Sequence, residues 1–222
     1  MLKPIRYLLC QLELEGIRIV GDRLIRRISA DVPDFPLMLL AETCDDHSLI
    51  CVDDQLPAYL RAALFQSRPQ FVGAEVVLRM LESSGIIARA RYYRTCIFPD
   101  ELSHEGLEQV KCLQPDDLKV RAFGMGGLPG PVFAIESRGE ILSACASSRQ
   151  NHRCAEASVM THPRHRRKGY ARKVVTAWAA SLQADGIIPF YSHELHNDAS
   201  ALVAESLGLQ EVFTETVVER AI

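Results

Sequence analysis

The alternation of apolar and polar positions is most regular in the second half of the chain. Strand-like segments on both sides of Ser137-Arg138-Gly139 predict a β-hairpin, because glycine suits a tight turn between two strands. Apolar residues from Ala171 to Leu182 recur at helical spacing, and Asp185-Gly186 marks the end of that helix. The other elements predicted in this half are strands at 155–161, 187–192 and 209–220 and a short helix capped by Asn197 or Asp198.

The first half of the chain has a less regular pattern. Two short apolar runs flank the acidic turn Asp45-Asp46 and predict strands. A later run with helical spacing stops at Gly85, and an alternating segment stops at Pro99. The elements predicted in this half are strands at 37–40, 48–52 and 88–98 and a helix at 72–83.

The order of elements predicts the fold class. In the second half the order is β-β-β-α-β-α-β, which indicates a mixed sheet with helices on its faces, so we expect an α/β (α+β) protein. A polar stretch at 99–109 separates the two halves. We therefore predict an N-terminal α/β segment at 1–105 and a second domain at 106–222.

Composition is typical of a soluble globular protein. Of the 222 residues, 48% are hydrophobic and 24% are charged, which excludes disorder over most of the chain. No stretch approaches the roughly 20 apolar residues that span a bilayer, and we find no export signal. The seven cysteines show no CxxC spacing, so we expect reduced thiols, a cytoplasmic protein and no membrane partner.

Positive charge is concentrated in one segment, although the net charge is −3. Arg164–Lys173 contains six lysines and arginines and no acid, so the rest of the chain carries −9. Gly169 stands where this segment passes from a predicted strand into a predicted helix. Because helix N-termini offer unpaired N–H groups and glycine permits close approach, we predict a pyrophosphate site there. Neither GxxxxGK[ST] nor GxGxxG is present, which excludes a P-loop and a Rossmann fingerprint.

The residues around Gly169 resemble the acetyl-coenzyme A signature of the GNAT N-acetyltransferase superfamily. In that family a strand and a proline precede Q/R-x-x-G-x-G/A at the start of a helix. Here Val159–Pro163 is followed by Arg166-x-x-Gly169-x-Ala171. Asn197-x-x-Ser200 and Leu207-Gly208-Leu209 resemble the region that follows the fifth strand of the family.

The resemblance covers about residues 110–222 and implies a GNAT-like splayed sheet that binds acetyl-CoA as a co-substrate. The backbone of Val159–Thr161 is then expected to pair with the pantetheine arm, and the amides of 167–172 to hold the pyrophosphate. Pro189 suits the gap between the splayed strands, because proline cannot donate to a ladder. The residues implied in binding acetyl-CoA are Val159, Met160, Thr161, Arg166, Arg167, Lys168, Gly169, Tyr170, Ala171, Arg172, Asn197 and Ser200.

The same resemblance implies that an amine attacks the acetyl thioester directly. Glu156, on the strand beside the cofactor, is the expected base, and the backbone N–H of Met160 is the expected oxyanion donor. The alternatives for the base are His193, Glu194 and His196. The family often has a tyrosine acid where this chain has Ala204. The candidates for the proton donor are therefore Tyr191, Ser192, Ser200 and water.

These observations predict an N-acetyltransferase, with a small-molecule amine, a peptide N-terminus or a lysine open as acceptor. The alternative is a non-catalytic GNAT-fold module that binds CoA or a partner, which Ala204 favours. A basic-patch nucleic-acid binder is a third hypothesis, and the net charge disfavours it. His162-x-x-His165 and His193-x-x-His196 lack acids or thiols at fixed spacing, so we predict no metal. The sequence is compatible with a homodimer.

Overall fold

The computed structural model describes residues 3–20, 24–27, 35–67, 73–103 and 105–221. The chain divides into two compact units. The first comprises Met1–Thr95, His193–His196 and Glu211–Ile222, and the second comprises Cys96–Ser192 and Asn197–Gln210. The chain thus returns to the first unit for its last strand, which the predicted division at residue 105 had assigned to the second domain.

The helices and strands follow one another in a mixed order. The helices are α1 (Pro4–Leu14), α2 (Ala58–Gln66), α3 (Ala74–Ser83), α4 (Leu118–Ala122), α5 (Tyr170–Ala184) and α6 (Asp198–Ser206). The strands are β1 (Ile17–Val20), β2 (Leu24–Arg27), β3 (Met38–Thr43), β4 (Ser48–Asp53), β5 (Ala88–Ile97), β6 (Lys111–Leu113), β7 (Val132–Ser137), β8 (Glu140–Gln150), β9 (Cys154–Thr161), β10 (Ile188–Glu194) and β11 (Gln210–Arg220). Within the described ranges, no helix has both the length and the apolar character needed to cross a membrane.

In the first unit the strands lie in the order β1-β2-β4-β3-β11-β5. β3 and β4 form an antiparallel hairpin, and β11 pairs with β3 in antiparallel orientation. Leu60 of α2 and Val77 of α3 belong to one buried cluster with Leu40, Val52 and Val218 of these strands. The strands predicted at 37–40, 48–52 and 88–98 are confirmed, as is the helix from Ala74 onwards. Val72, where that helix was predicted to begin, lies outside the described residues.

Four elements of the first unit, α1, α2, β1 and β2, were not predicted. In α1, neighbouring residues from Tyr7 to Leu12 are buried on more than one side of the helix. A helix that is buried on several sides shows no clear apolar stripe, so the periodicity of its sequence does not reveal it. β1 and β2 are each only four residues long, which is too short for a clear alternation.

In the second unit the strands lie in the order β10-β9-β8-β7-β6. The pairs from β6 to β9 are antiparallel, whereas β9 and β10 are parallel. Arg138 and Gly139 join β7 to β8 with φ values of 52° and 86°, as a two-residue hairpin turn requires. Trp178 of α5 belongs to the buried cluster on one face, and Val120 of α4 belongs to the other cluster. This mixed sheet with flanking helices confirms the predicted fold class.

β9 and β10 separate after a short paired segment. β9 pairs with β8 along Ala155–Thr161, but with β10 only at Cys154, Ala155 and Glu156. Among the described strands, none pairs with the other edge of β9 from Ala157 to Thr161. We call this opening the gap. Pro189 pairs with Ala155 and so lies in the paired segment, not in the gap where it was expected.

Candidate functional site

The junction between β9 and α5 is a loop with two residues in the left-handed region. Pro163–His165 form a short 3-10 helix, and the Nδ1 of His162 accepts a hydrogen bond from the N–H of Arg164 at 3.3 Å. Arg167 and Gly169 then have φ values of 62° and 74°. Glycine adopts such values readily, so Gly169 allows the chain to turn into α5. We call residues 166–169 the junction loop.

The junction loop and the first turn of α5 leave a run of backbone N–H groups without partners. In the described part of the chain, the N–H groups of residues 167–172 make no hydrogen bond to the backbone. The first helical bond runs from the N–H of Lys173 to the carbonyl of Gly169 at 3.3 Å. A Cβ atom built on Gly169 would meet no heavy atom within 4 Å, so the space beside it is open. This backbone can therefore receive an anion at close range.

Positively charged side chains accompany these amides. The six lysines and arginines of Arg164–Lys173 form no ion pair with an aspartate or glutamate among the described residues. The Nζ of Lys173 donates to the Oε1 of Gln109 at 3.1 Å, and the Nζ of Lys168 lies 3.4 Å from the Nδ1 of His165. Unbalanced cations beside free amides fit a ligand with several negative charges, as the pyrophosphate of acetyl-CoA has. The cations are Arg164, Arg166, Arg167, Lys168, Arg172 and Lys173.

The gap gives access to one edge of β9. The N–H of His162 donates to the carbonyl of Leu142 on the β8 side at 2.9 Å. Because amide directions alternate along a strand, the N–H of Met160 also points to β8, and those of Val159 and Thr161 point into the gap. Val159 and Thr161 can therefore pair with an extended ligand. The same geometry argues against the Met160 N–H as oxyanion donor, since it belongs to the β8–β9 ladder.

Glu156 lies where the gap begins, because it is the last residue of β9 that pairs with β10. Its side chain is only 12% exposed, and its Oε2 lies 3.7 Å from the Nη1 of Arg149. The Oγ of Ser148 lies 3.3 Å from the same oxygen. Ser148 is the extra residue of a bulge in β8 opposite Glu156. Ser148 and Arg149 were not predicted, because a bulge arises from the pairing of two strands and has no signal in one sequence.

Tyr191 is the first residue of β10 beyond the segment that pairs with β9. It is only 2% exposed and belongs to the buried cluster that contains Trp178 of α5 and Ala204 of α6. Burial raises the pKa of Tyr191 to about 12, although a hydrogen bond with Ser200 opposes the shift. The hydroxyl is protonated at neutral pH, as that of an ordinary tyrosine is, and the raised pKa makes it a weaker acid.

Asn197 and the alternatives for the base belong to different units of the structure. Asn197 caps α6, because its Oδ1 accepts a hydrogen bond from the N–H of Ser200 at 3.1 Å. The alternatives for the base, His193, Glu194 and His196, belong to the first unit. There the Oε1 of Glu194 accepts a hydrogen bond from the Nη1 of Arg91 at 2.9 Å.

The rings of His162 and His165 lie 5.6 Å apart, and the described residues hold no group of three or more metal-ligating side chains.

Comparison with known proteins assigns a family to this part of the chain. A sequence model described as GNAT acetyltransferase matches residues 128–217. These residues belong to the GNAT superfamily. The match contains β9, the junction loop and α5, so it confirms the family that the Arg166-x-x-Gly169-x-Ala171 motif resembles. No curated protein has a significant sequence match to the chain.

Solved GNAT structures share the fold. A GCN5-related N-acetyltransferase from Kribbella flavida is 14% identical, with a TM-score of 0.54, and the match covers 98% of this chain and 95% of that one. A GNAT-family protein from Novosphingobium aromaticivorans is 19% identical, with a TM-score of 0.50, and the match covers 60% of this chain and 66% of that one. The chain thus spans just under two thirds of the second protein. At these identities the likeness concerns the fold alone.

Proposed function

We propose that this protein transfers an acetyl group from acetyl-CoA to an amine. The junction loop is the observation that carries the proposal, because it combines open space at Gly169, unpartnered amides and unbalanced cations beside the gap. The match to the GNAT family supports the same reaction. The proposal includes a cytoplasmic location and an amine as the partner, without a nucleic acid or a membrane. None of the seven cysteines forms a disulfide within the described residues, which agrees with that location.

Backbone groups on β9 and α5 bind acetyl-CoA, the acetyl donor. The amides of 167–172 hold the pyrophosphate, and the side chains of Arg166, Arg167, Lys168 and Arg172 add positive charge. Val159 and Thr161 pair with the pantetheine arm as an added strand would. Tyr170 and Ala171 contribute through their amides in the first turn of α5. Asn197 and Ser200, on α6, lie near the thioester end in this arrangement.

In the reaction itself the amine attacks the carbonyl of the bound acetyl thioester. Three groups of the chain take part. Glu156 accepts the proton that the amine loses. The N–H of Ala157 or Val159, which points into the gap, replaces that of Met160 as the donor to the developing oxyanion. Tyr191 gives its proton to the thiolate as the carbon–sulfur bond breaks.

Thermal denaturation with acetyl-CoA tests the binding step. We expect the wild-type Tm to rise by on the order of 5 to 10 °C at 100 times the Kd, because the ligand stabilises only the folded state. The Gly169→Glu variant should show no rise, because its carboxylate occupies the open space and repels phosphate. A rise in Tm for this variant equal to that of wild type would exclude the junction loop as the site.

Gly186→Glu is the matched control for this experiment. Gly186 ends the same helix α5 with a φ of 72°, against 74° for Gly169, and a Cβ on either glycine meets nothing within 4 Å. Both variants therefore carry the same backbone strain, about 1 kcal/mol or more. Only the Gly169 variant should lose the response to acetyl-CoA.

A non-catalytic GNAT-fold module is the second candidate function. The observation that favours it is Ala204, which is buried where the family often has its tyrosine acid. A thiol-release assay over small amines, peptide N-termini and lysine peptides separates the two functions. The enzyme releases CoA with at least one of these acceptors, whereas the module is stabilised by acetyl-CoA and releases CoA with none.

A further inference from the structure

The bulge in β8 brings a hydroxyl to the residue at which the gap begins. Ser147 pairs with Ala157 and Arg149 pairs with Glu156, so Ser148 is an additional residue on β8 without a partner of its own on β9. The Oγ of Ser148 lies 3.2 Å from the carbonyl oxygen of Glu156 and 3.3 Å from its Oε2. Bulges of this kind bend a strand and change the direction of a side chain beside a functional site.

The contact between Ser148 and Glu156 lies at the point where β9 and β10 separate. Glu156 is the last residue of β9 paired with β10, so its backbone is held on both sides while the gap begins at the next residue. Its side chain is 12% exposed, and the 49% exposed side chain of Arg149 reaches it from the bulged strand at 3.7 Å. A hydroxyl and a guanidinium from adjacent residues of one bulge thus approach the same carboxylate oxygen.

We propose that Ser148 is a positioning residue that holds the Glu156 carboxylate in place to take the proton of the acceptor amine. This inference rests on the proposed function, in which Glu156 is the base. The Ser148 hydroxyl lies within hydrogen-bond distance of both the carbonyl oxygen and Oε2 of Glu156, and by donating to Oε2 it fixes the rotamer of the carboxylate. Arg149 places a positive charge 3.7 Å from the same carboxylate oxygen.

Steady-state kinetics of Ser148→Ala tests the inference with an acceptor that wild type acetylates. We expect kcat to fall by roughly tenfold or more, since a base that leaves its productive position loses rate steeply. The KM for acetyl-CoA should stay unchanged, because the hydrogen bonds of Ser148 go to Glu156 and the proposed pyrophosphate site is formed by the junction loop and α5. Ser206→Ala is the matched control, since Ser206 also donates to a carbonyl, that of Val203 at 2.8 Å, and should keep wild-type kcat.

A double-mutant cycle shows whether Ser148 acts through Glu156. Glu156→Gln alone should lower kcat by about a hundredfold or more. In that background, Ser148→Ala should cause no further loss, because the carboxylate that it positions is already absent. Full additivity of the two losses, or a wild-type kcat for folded Ser148→Ala, would overturn the inference.

An isosteric pair keeps the test valid if the alanine variant does not fold. Ser148→Thr keeps the hydroxyl, and Ser148→Val has the same shape without it. We expect the threonine variant to retain most of the wild-type kcat and the valine variant to lose it. Equal kcat values for the two variants would reduce Ser148 to a structural role. The proposed function fails on different results, namely no stabilisation by acetyl-CoA or no release of CoA with any of the acceptors.

Discussion

Tyr191 is a candidate proton donor with a buried side chain. It belongs to one buried cluster with Trp178, and the loss of water raises the pKa of Tyr191 to about 12. In the family the acid often comes from the helix at the position of Ala204, whereas in the proposed mechanism the hydroxyl comes from β10. The two positions belong to one buried cluster, so a hydroxyl on the strand can serve the space that a helix residue would serve.

The raised pKa of Tyr191 predicts a loss of stability at high pH. Between pH 10 and about 12 the unfolded chain releases the tyrosine proton and the folded chain keeps it, so stability falls as pH rises. Two pKa units correspond to about 2 to 3 kcal/mol. Urea unfolding at pH 9 and pH 12 should show the stability difference between wild type and Tyr191→Phe shrinking by that amount.

Tyr59→Phe is the control for this measurement, because Tyr59 is 68% exposed. Its stability difference from wild type should be the same at both pH values. If the Tyr191→Phe difference also stays constant, the hydroxyl is not held in a buried environment and its pKa is not raised.

At the scale of elements, β9 has two edges with different roles. One edge completes the ladder with β8, and the other is paired with β10 only at its beginning. The N–H groups of neighbouring residues point alternately to the two edges, so every second one belongs to the β8–β9 ladder and those between them point away from it. The junction loop and α5 follow directly, so the same strand leads from the gap to the cationic loop.

Proline substitutions distinguish the two edges of β9. Val159→Pro removes an N–H that points into the gap, so the free energy of unfolding should fall by only about 1 kcal/mol while acetyl-CoA binds at least tenfold more weakly. Met160→Pro removes an N–H of the β8–β9 ladder and should lower the free energy of unfolding by about 3 kcal/mol. Urea unfolding and acetyl-CoA titration measure both effects. The reverse order of the two stabilities would contradict the assigned amide directions.

At the scale of the whole molecule, the distribution of charge matters more than its sum. Six cations occupy one ten-residue segment of a chain whose net charge is −3. A nucleic acid needs a wide basic surface, whereas a small anionic ligand needs only a local one. The rest of the chain carries a net charge of −9, which repels a long polyanion.

Binding assays with duplex DNA and with acetyl-CoA test this distinction. At about 0.15 M salt we expect at most weak, non-specific binding of DNA, with a Kd of about 10⁻⁴ M or weaker. Acetyl-CoA should still stabilise the protein and should bind somewhat more weakly at 0.5 M salt, because its phosphates face exposed cations. Micromolar, steeply salt-dependent DNA binding without a response to acetyl-CoA would favour the nucleic-acid hypothesis.

The elements of the second unit could be predicted from the sequence because their signals are local. Apolar spacing defines α5, and the Gly139 turn defines the hairpin. The position of Gly169 between a strand and a helix N-terminus could be predicted in the same way, because glycine adopts the positive φ that such a turn needs. The Met160 amide was the error, since the direction of an amide depends on which neighbour its strand pairs with.

The sequence by itself determined the strand-loop-helix unit, its excess of positive charge and its family resemblance, because each depends on residues close together in the chain. Only the tertiary structure decided the rest. The opening of the gap, the bulge that brings Ser148 to Glu156, the burial of Tyr191 and the return of β11 to the first unit all join distant segments. Such pairings depend on the packing of the whole fold, which local patterns do not encode.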